Sequence, residues 1–341
     1  MRKWAMAFVG LLPGMLLAPG CVKNGGCYVP ERREPAEMLA SWRDTPTRDA
    51  IIEFVEAADT WGGKDYIPPK QRIAVFDNDG CLWAEQPAYF QLIFAMDRVR
   101  EMSPDHPEWS GREPYASAIA GDTAGVIAQG TKGVLELIAV SHAGTTIDEF
   151  SAIAREWLRT ARHPTTGMLY TEMVYQPMLE VMEYMRDRGF KTYVVSGGGV
   201  EFMRAFAEEV YGVPPEQVIG SNLEVVFEVR DGVPVLVQQP GVSFIDDRVG
   251  KPVRINTVIG RRPVAAFGSS DGDMPMLQWI TGGSTPGLGV LIHHTDAERE
   301  WAYDRGSLIG RMDKALDEAP GFGWVVVDMA RDWDVVFPAD Q

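Results

Sequence analysis

Asp77 and Asp79 stand two residues apart in Phe76-Asp77-Asn78-Asp79-Gly80, directly behind the apolar run Ile73-Ala74-Val75-Phe76. Side chains at alternate positions of an extended chain point to one side. Two carboxylates held that close repel unless a cation or a proton lies between them. Oxygen ligands so arranged suit Mg2+, which keeps several waters and takes one or two carboxylates plus a substrate phosphate. A second acidic pair, Asp271 and Asp273 in Gly268-Ser269-Ser270-Asp271-Gly272-Asp273, also follows an apolar run and could complete the shell. With metal bound, Asp77 could attack phosphorus, since a carboxylate can form an aspartyl phosphate. Asp79 would protonate the leaving oxygen and then activate water. A plain loop is the other reading, because Asp, Asn and Gly are also turn residues.

Two further positions offer phosphate contacts. Ser196 opens Ser196-Gly197-Gly198-Gly199 ahead of a helix expected near Glu201. A hydroxyl beside bare backbone N–H groups, that of Gly197 among them, suits a phosphate oxygen. A simple helix N-cap is the alternative for Ser196. Lys251, in Val249-Gly250-Lys251-Pro252, is either a solvated lysine or, inside the site, an offset for charge on the phosphoryl oxygens.

These residues need a scaffold that brings distant loops together. The runs 73–76, 191–195, 263–267, 288–293 and 324–328 read as buried strands. Residues 223–229 and 233–237 flank Asp231-Gly232, the signature of a tight β-hairpin. Apolar residues at Ile51, Ile52, Phe54, Val55 and Ala58 predict a helix over 47–58. Strands alternating with helices predict an α/β fold, a doubly wound (Rossmann-like) parallel sheet with a β-hairpin and an inserted helical cap. Its ligand would lie at the carboxyl ends of the strands, where three of the runs end in polar, glycine-rich turns. The expected division is a catalytic core of 22–82 and 171–341, with the cap over 83–170.

The charge balance narrows the partners. Lys plus Arg number 32 and Asp plus Glu 48, a net charge of −16. Nucleic acid is therefore not an expected partner, because phosphate backbones need clustered Lys and Arg. Three cysteines are too few for a disulfide scaffold; Cys27 and Cys81 are read as free thiols. Arg2 and Lys3 precede the uncharged stretch 4–22, and small residues lead up to Cys21. That pattern describes an export signal over 1–21. It resembles a bacterial lipoprotein signal in which Cys21 becomes the lipidated first residue, although Ala18 stands where Leu is usual. The expected location is periplasmic or membrane-anchored, with membrane contact only through the lipid.

The motifs, in order, are Phe76-Asp77-Asn78-Asp79-Gly80-Cys81-Leu82, Val195-Ser196-Gly197-Gly198, Lys251 and Gly268-Ser269-Ser270-Asp271-Gly272-Asp273. Over residues 73–277 this order resembles the haloacid dehalogenase (HAD) superfamily, and within it the phosphoserine-phosphatase-like phosphatases. The resemblance implies Asp77 as nucleophile and Asp79 as general acid/base. It implies Ser196 and Lys251 as phosphate contacts. Mg2+ would be held by the Asp77 side chain and the Asp79 carbonyl, with support from the last acidic pair. Two positions depart from the pattern: Cys81 replaces the usual Thr, and Ser269 replaces an Asp. The metal role therefore passes first to Asp271, with Asp273 beside it. An acidic residue near Glu85 contacts a substrate amino group in related phosphatases, which makes Glu85 a candidate against a solvated loop glutamate. Arg98 and Arg100 are either anion contacts or exposed helix residues. His293 and His294 are adjacent on a strand and face opposite ways, which disfavours a shared metal.

The expected function is Mg2+-dependent hydrolysis of a small phosphomonoester. A metal-independent dehalogenase and a non-catalytic surface lipoprotein of the same fold are the alternatives. Phosphoserine, phosphocholine or a broad range of esters all fit the sequence, and it is silent on oligomeric state.

Overall fold

The computed structural model describes residues 32–338. The signal over 1–21, Cys21 and Cys27 lie outside the described residues. Strand β1 (Ile73–Phe76) is four buried apolar residues in a row. The reason is that both of its faces are covered. Ala74 and Phe76 pack into one apolar cluster and Val75 into another on the opposite side. Helix Gln176–Asp187 covers the first face with Met178, Val181, Met182 and Met185. Helices Gly250–Ile259 and Met274–Thr281 cover the second with Ile255, Met276, Leu277 and Ile280. Each such side chain contributes about 1.5–3 kcal/mol when fully buried.

β1 pairs in parallel with β2 (Lys191–Gly199) on one side and β5 (Ala265–Gly268) on the other. β3 (Val218–Arg230) joins β2, β6 (Leu288–Thr295) joins β5, and β8 (Val325–Asp328) joins β6, all parallel. β4 (Val233–Phe244) runs antiparallel to β3, and the two-residue β7 (Ala302–Tyr303) antiparallel to β6. The chain winds outward through β2 and β3 on one side of β1 and through β5, β6 and β8 on the other. The switch therefore falls between β1 and β5, where an open parallel sheet leaves a crevice at its carboxyl end. This is the α/β, doubly wound arrangement expected from the strand pattern.

The β1–β2 connection carries helices Phe90–Met102, Tyr115–Ala120, Thr123–Ala128, Gly130–His142 and Ile147–Thr160. Leu92, Met96, Val99, Ala118 and Leu137 form their own apolar cluster. The last of these helices opens on a capping box between Thr146 and Glu149. Among the described residues no helix is long and apolar enough to cross a membrane.

Two local features differ from the sequence expectation. The hairpin strands are longer than 223–229 and 233–237, because β3 begins in the central sheet beside β2 before it leaves with β4. Its turn is as expected: Asp231 and Gly232 both have positive φ, at 50° and 80°. In addition, Ser196–Gly199 continues β2 past a bulge and is not a free turn. Gly220 permits this, since a Cβ there would lie 2.7 Å from the Gly198 carbonyl oxygen.

Candidate active site

The end of β1 delivers Asp77, whose N–H donates to the Phe267 carbonyl of β5. The chain then turns sharply at Gly80, where φ is +72°. The Asn78 carbonyl accepts the N–H groups of Cys81, Leu82 and Trp83, and the Asn78 side chain accepts the Tyr211 hydroxyl at 2.9 Å. Asp79 is thereby presented beside Asp77. Its Oδ1 accepts Trp83 Nε1–H at 2.8 Å, and its Oδ2 accepts the Ser196 hydroxyl at 3.3 Å.

Lys251 is 2% exposed and lies on the opposite wall. Its ammonium donates to Asp77 Oδ1 at 2.6 Å, to Asp273 Oδ1 at 2.6 Å and to the Val195 carbonyl at 3.1 Å. All three donors are used, so the solvated reading of Lys251 does not hold. Burial alone would lower the Lys251 pKa, but Asp273 and Asp77 outweigh it and hold the amine charged. Burial pushes the Asp77 carboxyl well above the usual carboxylate range; Asp273 adds to this and Lys251 opposes it. The Asp79 carboxyl is also raised by burial, with the Trp83 hydrogen bond pulling it back.

Ser196 is buried and is not the N-cap of the following helix, a place taken by Gly199. Its hydroxyl accepts the Gly198 N–H while facing Asp79. Gly197 is exposed, and its carbonyl accepts the Ser221 hydroxyl. The four expected loops thus meet at the carboxyl ends of β1, β2 and β5 and at the helix that carries Lys251.

A family model described as haloacid dehalogenase-like hydrolase matches residues 74–278, well over half of the chain. The chain belongs to the haloacid dehalogenase-like hydrolase family. No curated protein matches it. Among solved structures, a functionally unknown protein from Anaerococcus prevotii is 17% identical, with a TM-score of 0.51 over 80% of this chain and 89% of that one. A protein of unknown function from Bordetella pertussis is 16% identical, with a TM-score of 0.48 over 76% and 99%. A phosphoserine phosphohydrolase-like protein from Francisella tularensis is 14% identical, with a TM-score of 0.36 over 65% and 87%.

The last motif of this HAD-like chain divides its labour in a way the sequence did not indicate. Asp273 is fully buried: Oδ1 faces Lys251, and Oδ2 accepts the N–H groups of Ser269 and Ser270 and the Ser270 hydroxyl. Asp271 is not among the gathered groups. Its Oδ1 accepts the N–H groups of Asp313 and Ala315 at the start of helix Lys314–Phe322. Ser269 is the residue of this motif that reaches the Asp77–Gly80 turn, donating to the Asp79 carbonyl at 3.1 Å.

Glu85 is no solvated loop residue. It is 2% exposed, accepts the Tyr303 hydroxyl at 2.8 Å and lies against Gly80 and Gly310. Burial and the Asp79 charge raise its pKa well above the usual range. Arg98 and Arg100 pair with Glu101 and Asp97 on their own helix. Three supporting residues escaped sequence reasoning. His294 Nε2 holds the Gly80 carbonyl at 2.9 Å while its Nδ1 faces Glu300. Gln91 Oε1 accepts the Gly199 N–H at 2.7 Å. Trp83 holds Asp79. Only the Trp83 spacing, four residues past Asp79, carried a local signal.

Proposed function

We propose that this protein is a Mg2+-dependent phosphomonoester hydrolase that works through phosphorylated Asp77. The observation that carries the reading is the buried triad of Asp77, Lys251 and Asp273, set beside Asp79 and Ser196. The donor set fits Mg2+. Asp77 and Asp273 both contact Lys251, and Asp79 adds its charge to theirs, an excess of carboxylate that a divalent cation would offset. Among the described residues no three His, Cys, Asp or Glu side chains converge as a metal shell. The candidate ligands are the Asp77 carboxylate, the Asp79 carbonyl and the Ser269 hydroxyl, an all-oxygen set that leaves room for water. Bound there, the ion supplies charge neutralisation at the phosphoryl oxygens.

The chain's own residues do the rest. An Asp77 oxygen attacks phosphorus as the P–O bond to the alcohol breaks. Asp79, whose raised pKa favours keeping a proton, delivers it to the leaving oxygen. Asp79 then takes a proton from the water that attacks phospho-Asp77, releasing phosphate and restoring the carboxylate. Lys251 offsets charge on the transferred group, and Ser196 and the Gly197 backbone orient it. Helical residues 83–170 act as the cap over this chemistry. The chain works outside the cytoplasm, a reading supported by the signal-like residues 1–21 and by Cys21. The test is turnover of p-nitrophenyl phosphate with Mg2+ and with chelator, in wild type and Asp77→Asn. Wild type should need Mg2+, and Asp77→Asn should lose at least about 1000-fold in kcat, an effect on the scale of removing a catalytic nucleophile. Equal turnover in both proteins rejects the mechanism.

A further inference from the structure

A cavity of about 50 Å3 abuts the Ser196–Gly199 stretch, one residue from the groups that face Asp79. Ile138 and His142 wall it from the helical insertion, Gly197 and Gly199 from β2, and Leu223 and Gln238 from the hairpin. Most of the wall is apolar. Polar residues also line it, Ser221, Asn222 and Gln238 among them; Gln238 is 2% exposed, and its side-chain Nε2 has no hydrogen-bond partner. Its main chain, by contrast, is fully used. The Gln238 N–H donates to the Thr145 carbonyl, and the Gln238 carbonyl accepts the Gly144 N–H. The backbone is therefore pinned between hairpin and insertion, while Gln238 borders the cavity with its Nε2 unpaired. Proteins seldom leave such a donor unpaired, because a buried N–H without a partner is costly.

The cavity is also short of positive charge. Burial holds the His142 pKa down to about 3, so the ring is neutral at physiological pH. Glu201, at the rim, is paired with Arg204. A leaving group that carries an anion would find no free cation there.

We propose that this cavity receives the alcohol portion of the phosphomonoester, and that the Gln238 amide donates a hydrogen bond to a carbonyl or hydroxyl oxygen on it. The preferred substrate is then the phosphate ester of a compact, uncharged, acceptor-bearing alcohol. This rests on the phosphatase reading above.

The test compares two esters of nearly equal shape, 3-oxobutyl phosphate and 3-methylbutyl phosphate, with the full chain and Mg2+. Wild type should favour the oxo ester about tenfold or more in kcat/KM, mainly through KM, because a site built to bind an acceptor discriminates against the analogue that lacks it. In Gln238→Leu that ratio should fall to about one or below. Its thermal midpoint should hold or rise, since an unsatisfied amide has been removed. Gln238→Glu, which puts an acceptor in place of the donor, should abolish the ratio as well and serves if the Leu variant fails to fold. An unchanged ratio in the variants, or no preference in wild type, overturns the proposal. If wild type cleaves p-nitrophenyl phosphate but neither butyl ester, the cavity is not the leaving-group pocket and the phosphatase reading stands. If wild type cleaves no phosphomonoester at all, that reading falls and takes this one with it.

Discussion

Lys251→Met isolates the electrostatics of the site. Lys251 touches two carboxylates at 2.6 Å each, Asp77 at 6% exposure and Asp273 at 0%. Methionine fills similar volume without the charge. Coulomb attraction at this distance is about 6 kcal/mol per contact even at an effective dielectric of 20, before desolvation is subtracted. Breaking a buried pair by removing one partner costs about 3–5 kcal/mol, because the other charge stays buried and uncompensated. For a chain of this size that lowers the thermal midpoint by on the order of 10 °C. Under the proposed mechanism turnover should fall by several orders of magnitude at the same time, since Lys251 would no longer offset charge on the phosphoryl oxygens. The sign of the pH effect follows from the raised Asp77 pKa. Without Lys251 the folded state holds its proton to still higher pH, whereas the unfolded carboxyl releases it near its ordinary value. Stability of the variant should therefore fall as pH rises through and above that ordinary value, so the deficit is larger at pH 8 than at pH 5. Adding Asp77→Asn to Lys251→Met should recover part of the lost stability but none of the activity. The assay is thermal unfolding at several pH values, with turnover in parallel. A Lys251→Met protein that melts with wild type at pH 8, or a double variant less stable than the single one, would refute the charge argument.

Gly80→Ala should impair turnover about tenfold or more and lower stability, because φ is +72° and the new Cβ would lie 2.6 Å from Glu85 Oε1 and 2.8 Å from Ser269 Oγ. Gly62→Ala, at φ +77° with open space around it, should show only the backbone cost of about 1 kcal/mol; equal behaviour of the two in melting and kinetics would contradict the crowding argument. Ser269→Asp adds a carboxylate beside Asp79, so it should melt earlier than wild type in chelator and gain more from Mg2+; identical Mg2+ shifts in both proteins would place the ion elsewhere. Asp246 is fully buried with neither carboxyl oxygen partnered, and burial pushes its pKa up to about 7. Because its folded pKa exceeds the unfolded value, it favours the fold at low pH and loses that contribution between about pH 4 and 7, by roughly 1.4 kcal/mol per unit. Asp246→Asn should therefore gain on wild type across that window in pH-dependent melting, and parallel curves would count against it.

The positions of Asp77, Asp79 and Ser196 were legible because each sits at a strand end, where short apolar runs mark the sheet and its open edge; Lys251, on helix Gly250–Ile259, was legible only through the resemblance in motif order. The parallel sheet was legible for the same reason: strands buried on both faces have no polar alternation to blur. The roles within the last motif were not. Asp271 and Asp273 are equally acidic and two residues apart. Which one meets Lys251 depends on N–H groups at 313 and 315 that draw Asp271 away, a contact more than forty residues distant in sequence. The same holds for His294 and Gln91, whose partners Gly80 and Gly199 are brought close only by the finished sheet. The capping alternative for Ser196 failed because β2 runs on past its bulge, and that needed Gly220 on a neighbouring strand.

The hairpin shows how one strand pair serves both layers of the molecule. At its base, β3 pairs with β2 through Ser196 and Gly199, so it holds the stretch that faces Asp79. Ser221 ties it further, donating to the Gly197 carbonyl and accepting the Asp246 N–H. Further out, β4 pairs through Gln238 with Gly144 and Thr145, the link between two helices of the insertion. A shift of those helices therefore strains the same ladder that positions Gly197 and Gly199. Gln91 and His142 run alongside as a second connection from the insertion to Gly199. Both connections converge on the backbone beside Ser196, so under the proposed function a group seated in the cavity would also steady the phosphate contacts. On that reading substrate choice and catalytic geometry are coupled through one short stretch of β2, and substitutions on the hairpin should change kcat and KM together.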